Sequence, residues 1–176
     1  MSKTTIELEN IKFSAGHFMI FSKTERDNLH GHDFKVSLSL VTEISKNGIP
    51  FDYEIFKRKI TSICNELNKT FILPTSSPFL SIEITEDSYY AIFNGQVIPF
   101  LKRDVTLLPI TNTSLEEFSR YILEKMISDK KELDDYKISE ITVKVFSCTK
   151  QSASSHWEKQ KHLEAIKDLF STIKDS

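Results

Sequence analysis

Apolar and polar positions alternate through the first stretch of the chain. Ile6 and Leu8 hold one phase and Ile11, Phe13, Ala15 and His17 the other, so a period of two that slips near Asn10 predicts a strand with a bulge. A polar stretch from Ser22 to Asn28 follows. Phe34, Val36, Leu38 and Leu40 then alternate with Lys35, Ser37 and Ser39, predicting a second strand over His32 to Ile44 with one dry face. Asn47-Gly48 signals a turn. From Asp52 the period lengthens. Ile55, Phe56, Ile60, Ile63, Cys64 and Leu67 share one helical stripe with Asp52 as N-cap. Two short β-type runs, 81–84 and 89–93, lie before Asn94-Gly95 and predict a hairpin. Thr113-Ser114-Leu115-Glu116 is a capping box that opens a helix through Phe118, Ile122 and Met126, ending in the charged run Asp129 to Asp135. Ile141, Val143 and Val145 predict a strand. Ser155-His156-Trp157-Glu158, followed by Leu163, Ile166, Phe170 and Ile173, predicts a C-terminal amphipathic helix.

Composition narrows the class without naming the chemistry. With 176 residues, 39% of them hydrophobic and 27% charged, the chain suits one globular domain with a real core. A formal charge of −2 gives no basic field, so nucleic acid and membrane are not expected partners. The Lys-rich terminal helix does not change this, because Glu158, Glu164 and Asp168 offset its cations. Cys64 and Cys148 form no CxxC pair, and residues 1–5 lead into no apolar leader segment. A reduced, cytoplasmic protein is expected.

The sharpest local chemistry is His30-Gly31-His32. Residues i and i+2 of a strand share a face, so two imidazoles there are placed to close on one metal ion. His17 is in phase with Phe13 and Ala15, and pairing the two strands would bring it alongside as a third ligand. Three neutral histidines leave a fourth position open, as catalytic zinc requires. The plainer alternative is an ordinary surface strand.

Phe13-Ser14-Ala15-Gly16-His17 and Leu29-His30-Gly31-His32-Asp33-Phe34 do not stand alone. With Phe51-Asp52-Tyr53, Glu66-Leu67, Leu73-Pro74-Thr75 and the run from Leu107 to Thr113, the chain resembles the 6-pyruvoyltetrahydropterin synthase and 6-carboxytetrahydropterin synthase family, in its archaeal-type branch, over about residues 5–150. The resemblance implies an α+β tunnelling fold (T-fold). Its antiparallel four-stranded sheet carries two helices on one face, here with an inserted hairpin and an extra C-terminal helix. The domain would occupy residues 1–150 and a helical extension 151–176. The resemblance further implies Zn2+ on His17, His30 and His32, a dihydroneopterin triphosphate-type pterin substrate, and homo-oligomers (trimers or hexamers) with active sites at subunit interfaces.

The resemblance breaks at the groups that move protons. The family's catalytic Cys position is Arg26, which cannot act as a base at neutral pH. Asp27 falls where a subgroup carries Glu in an ExxHGH pattern and is a candidate base. The family's Leu-Asp-His reads Leu67-Asn68-Lys69; Lys69 is a candidate proton-transfer group if its pKa is lowered. Ser147 takes the place of the Glu that clamps the pterin ring, a loss of roughly 2–3 kcal/mol for a charge-assisted pair. Thr113 and Ser114 match positions near the pterin and are equally explained as helix caps. Cys148 reads as a small residue ending a buried strand, and His156 as a surface residue. Two functions remain open: a zinc-dependent lyase or aldolase using Asp27 or Lys69, and a catalytically inactive homologue with structural zinc and a binding or scaffold role.

Overall fold

The computed structural model describes residues 3–44, 46, 48–147 and 151–159. Strand β1 (Lys3–His17) and strand β2 (His30–Glu43) pair antiparallel, with His17 opposite His30 and Gly16 opposite Gly31. The predicted slip is a bulge between Leu8 and Ile11, where Asn10 takes φ 64°. One extra residue there returns Ile11, Phe13, Ala15 and His17 to the face begun by Ile6 and Leu8.

Helix α1 (Glu54–Leu67) buries the predicted stripe of Phe56, Ile60, Ile63, Cys64 and Leu67. Asp52 sits one residue outside the N-cap, where its Oδ1 accepts the Glu54 amide at 3.1 Å. The helix is stopped by two backbone changes. Asn68 becomes extended and Lys69 turns left-handed at φ 62°, a conformation costing about 1 kcal/mol for a residue with a Cβ. The Lys69 amide donates to Ser14 O at 2.6 Å, and Asn68 Oδ1 accepts the Ser14 amide at 2.9 Å.

That reversal starts a strand the apolar pattern did not reveal, β3 (Thr70–Pro74), running parallel to the end of β1. The 81–84 and 89–93 runs are β4 (Ser81–Ile84) and β5 (Ser88–Phe93), and β6 (Gln96–Leu101) extends the expected hairpin to a three-stranded meander. After one 3-10 turn, β7 (Val105–Leu108) lies parallel to β3. Helix α2 (Leu115–Met126) ends before the charged run, which forms a separate short helix α3 (Lys130–Asp135) capped by Asp129. Strand β8 (Ile138–Phe146) pairs with β2.

The expected helix from Ser155 is instead strand β9 (Ser152–Glu158), antiparallel to β8. Ser155 faces α2, its Oγ 2.8 Å from Ser119 Oγ, and Trp157 packs on the core. Pairing with a buried strand thus prevails over a capping-box spacing. β9 also carries the sheet domain past residue 150, where the extension was expected to begin. Leu163 to Ile173 lie outside the described residues.

The main sheet therefore has six strands in the order β7-β3-β1-β2-β8-β9, rather than four, with β3 and β7 parallel additions. The class is α+β as expected. Helices α1 and α2 cover one face over a core that includes Phe13, Phe34, Phe56 and Phe118. A second cluster, Phe18, Ile20, Leu73, Leu80, Ala91 and Phe93, seats the meander. No described helix is long and apolar enough to cross a membrane.

Candidate functional site

His17, His30 and His32 converge because bulge and register put all three on the helix-covered face. Their ring centroids lie 4.5, 5.3 and 4.9 Å apart, and one nitrogen from each lies within 4.8 Å of the others. Phe34 supplies an apolar floor, 5.5 Å from the His17 ring and 5.9 Å from His32.

Backbone carbonyls set the tautomers. His17 Nδ1 donates to Thr113 O at 2.9 Å and His30 Nδ1 to Asn28 O at 2.7 Å, which turns each Nε2 lone pair inward. His17 Nε2 is buried without a hydrogen-bond partner. Burial is the largest cause pushing His17 down to about 4, with the neighbouring imidazoles adding to it against Thr113 O and Asp27. A neutral imidazole with an orphaned inward nitrogen is the ligand form zinc needs, so the donor set fits a three-histidine site.

The histidines open into a cleft of about 440 Å³ whose lining also includes Ser114, Glu116 and Ser147. Thr113 also lines the cleft and adds a structural role. It is 1% exposed, its hydroxyl donates to Phe18 O at 2.6 Å and its carbonyl holds His17. Asn112 locks the same junction, accepting the Ile20 amide at 3.0 Å and donating to Ile20 O at 2.8 Å. Ser114, not Thr113, is the N-cap of α2 and accepts from Glu117 N. Cys148 lies outside the described residues.

Asp27 is half-buried and near enough to His17 to favour its protonated form. Its amide donates to the carbonyl of Met19, a cleft residue, at 2.8 Å. Lys69 is not gathered into this cleft. It lines a second, open hollow with Ser14, Gly16, Gly31 and Asp33, which shares only His32 with the histidine cleft; Ser14, Gly16, Gly31 and Asp33 alternate with the histidines and so face away from the helices. His156 is on that open face too, paired with Thr142 at 2.9 Å. Glu116 was missed by sequence reasoning, since its place in a capping box already explained it. The signal was present: the first turn after Thr113-Ser114 faces whatever those residues face.

Residues 5–157 match the 6-pyruvoyl tetrahydropterin synthase family. The chain belongs to that family. It is 26% identical over 136 residues to a Methanocaldococcus jannaschii protein provisionally named 6-carboxy-5,6,7,8-tetrahydropterin synthase, covering 77% of this chain and 83% of the relative. The 6-pyruvoyl tetrahydropterin synthases of Plasmodium falciparum and Plasmodium vivax superpose with a TM-score of 0.84 at 31% identity, over 90% of this chain and 99% of theirs. The P. vivax enzyme has also been solved with a catalytic glutamate replaced by Ala and by Cys. The Caenorhabditis elegans 6-pyruvoyl tetrahydropterin synthase, with a TM-score of 0.52 at 16% identity, shares the fold.

Proposed function

We propose that the protein is a zinc-dependent lyase or aldolase acting on a dihydroneopterin (triphosphate)-type substrate, with Asp27 as the base. The observation that carries this reading is the orphaned, buried His17 Nε2, converging with two further imidazoles in one cleft; Asp27 lies close enough for its charge to act on His17. Zn2+ held by His17, His30 and His32 would polarise substrate oxygens and acidify a hydroxyl. Asp27 would hold the proton taken from the substrate side chain, and a catalytic glutamate in the P. vivax relative supports a carboxylate in that role. Glu116 lines the same cleft as the histidines and would replace the missing ring clamp: its carboxylate would accept hydrogen bonds from an aminopyrimidine edge, with Ser114 and Ser147 adding hydroxyl contacts. The phenyl floor of Phe34 keeps water from the metal side. We place the cleft in a cytoplasmic homo-oligomer, with a neighbouring subunit completing it.

A catalytically inactive homologue with structural zinc is the second reading. It draws on Asn68, whose side chain is committed to the Ser14 amide where the family has an acid. Turnover separates the two. Zinc-loaded protein given dihydroneopterin triphosphate or dihydroneopterin should release a pterin product, and Asp27→Asn should lower kcat by about 10²–10⁴-fold while keeping its zinc. Absence of both turnover and binding with either substrate would reject the pterin assignment; turnover unchanged in Asp27→Asn would reject the base.

A further inference from the structure

We propose that Arg26 is the positioning residue for Asp27, and that the inserted meander acts on the active site through it. The inference rests on the assignment of Asp27 as base, and its observations are independent of zinc.

Arg26 occupies the position where the resembling enzymes carry their thiol, yet its guanidinium does not line the cleft. It lies over the Phe18 ring at 5.2 Å and the Phe93 ring at 5.9 Å. Nη1 donates to the Asp27 carbonyl at 2.7 Å, and Nε is buried with no hydrogen-bond partner. The backbone of Arg26 bridges antiparallel to Ile20, and the Asp27 amide donates to Met19 O. Phe18 follows metal ligand His17 directly, whereas Phe93 belongs to β5 of the meander.

One cation therefore ties three parts of the molecule together. A guanidinium is attracted to the faces of aromatic rings, more strongly when desolvated, and its in-plane N–H remains available for a charge-assisted bond to a carbonyl. Lysine lacks the planar face and the fork, so it cannot make both contacts in this geometry. The bond fixes the peptide on which the Asp27 carboxylate swings, three residues before His30. The meander supplies Phe93, one wall of that anchor.

The test uses Arg26→Met, Arg26→Lys and, far from the cleft, Phe93→Leu, each compared as full-length zinc-loaded protein. Displacing a reacting group by a fraction of an ångström or more should lower kcat about tenfold or more, with KM for dihydroneopterin triphosphate and zinc stoichiometry unchanged. Arg26→Lys should not rescue it. Hydrogen exchange at the Asp27 amide should accelerate about tenfold, with α1 amides unaffected. Arg26→Met and Phe93→Leu together should do no more than Arg26→Met alone, because Phe93 acts only through that guanidinium. Wild-type kcat and wild-type Asp27 protection in the folded variants, or losses that multiply in the double variant, would overturn the proposal. A purely structural arginine would lower Tm and leave kcat of the zinc-loaded fraction alone. Should the wild-type protein not turn over pterins, the function reading fails, while amide exchange and its non-additivity still decide whether Arg26 and Phe93 hold Asp27.

Discussion

Gly16 lies between His17 of the histidine cluster and Phe71, whose ring packs on the meander. A Cβ built there would lie 2.5 Å from Phe71 Cδ2, and Phe71 cannot retreat freely because its ring packs 4.7 Å from Phe100 and 6.1 Å from Phe18. Gly16→Ala should therefore cost about 1–3 kcal/mol, the range for overpacking a filled site, and should weaken zinc binding by tilting His17. Urea unfolding and zinc titration read the two effects. Adding Phe71→Leu should recover much of both; a Gly16→Ala protein of wild-type stability would show that Phe71 yields. The convergence of the three histidines was legible because strand alternation and an HxH spacing fix side-chain direction. Glu116, Arg26 and the carbonyl of Thr113 were not. Their roles depend on a loop clamp of non-local hydrogen bonds, such as Asn112 to Ile20, which no period encodes.

The elements with a clean period, β1, β2, α1, α2 and β8, were readable from the sequence down to the bulge at Asn10. β3, β7 and β9 were not, because five-, four- and seven-residue strands are specified by the neighbours they pair with rather than by alternation. The Ser155 to Glu158 spacing fitted a helix start equally well. What joins the last of the parallel strands to α2 is an ionic clamp. Glu117 Oε2 accepts the Thr111 amide at 2.7 Å and an Arg120 N–H at 2.9 Å. The Arg120 bond, more than the Thr111 amide, brings the Glu117 carboxyl down to about 2. A depressed carboxylate contributes stability above its ordinary value near 4.5 and loses it as the pH falls through the folded value. Wild-type protein should lose about 1–2 kcal/mol between pH 4.5 and pH 2 from this group, after discounting for the partly exposed arginine. Glu117→Gln should lack that acid limb in denaturant titrations across the same window. Parallel pH curves for the two proteins would refute the clamp.

Within one molecule the candidate proton-transfer groups are divided. Asp27 acts on His17 through its charge, whereas Lys69 lines a second hollow with Gly16, Gly31 and Asp33 that meets the histidine site only at His32. β1 meets β3 only at Ala15 and Gly16, so among the described residues no strand pairs with most of its outer edge, and β9 ends the sheet on the other side. Exposed strand edges and a sheet face without helices are surfaces suited to further copies of the chain. If neighbouring subunits share each site, Lys69 from one serves Asp27 of the next. Asp27→Asn and Lys69→Ala homo-oligomers should then both be slow. Unfolding and refolding them as a mixture should restore part of the wild-type rate, since some sites combine an intact Asp27 with an intact Lys69. Light scattering on the same samples should give a mass above one chain. A mixture no faster than the average of its parents would confine each site to a single chain, and a Lys69→Ala protein at full rate would remove the lysine from the reaction.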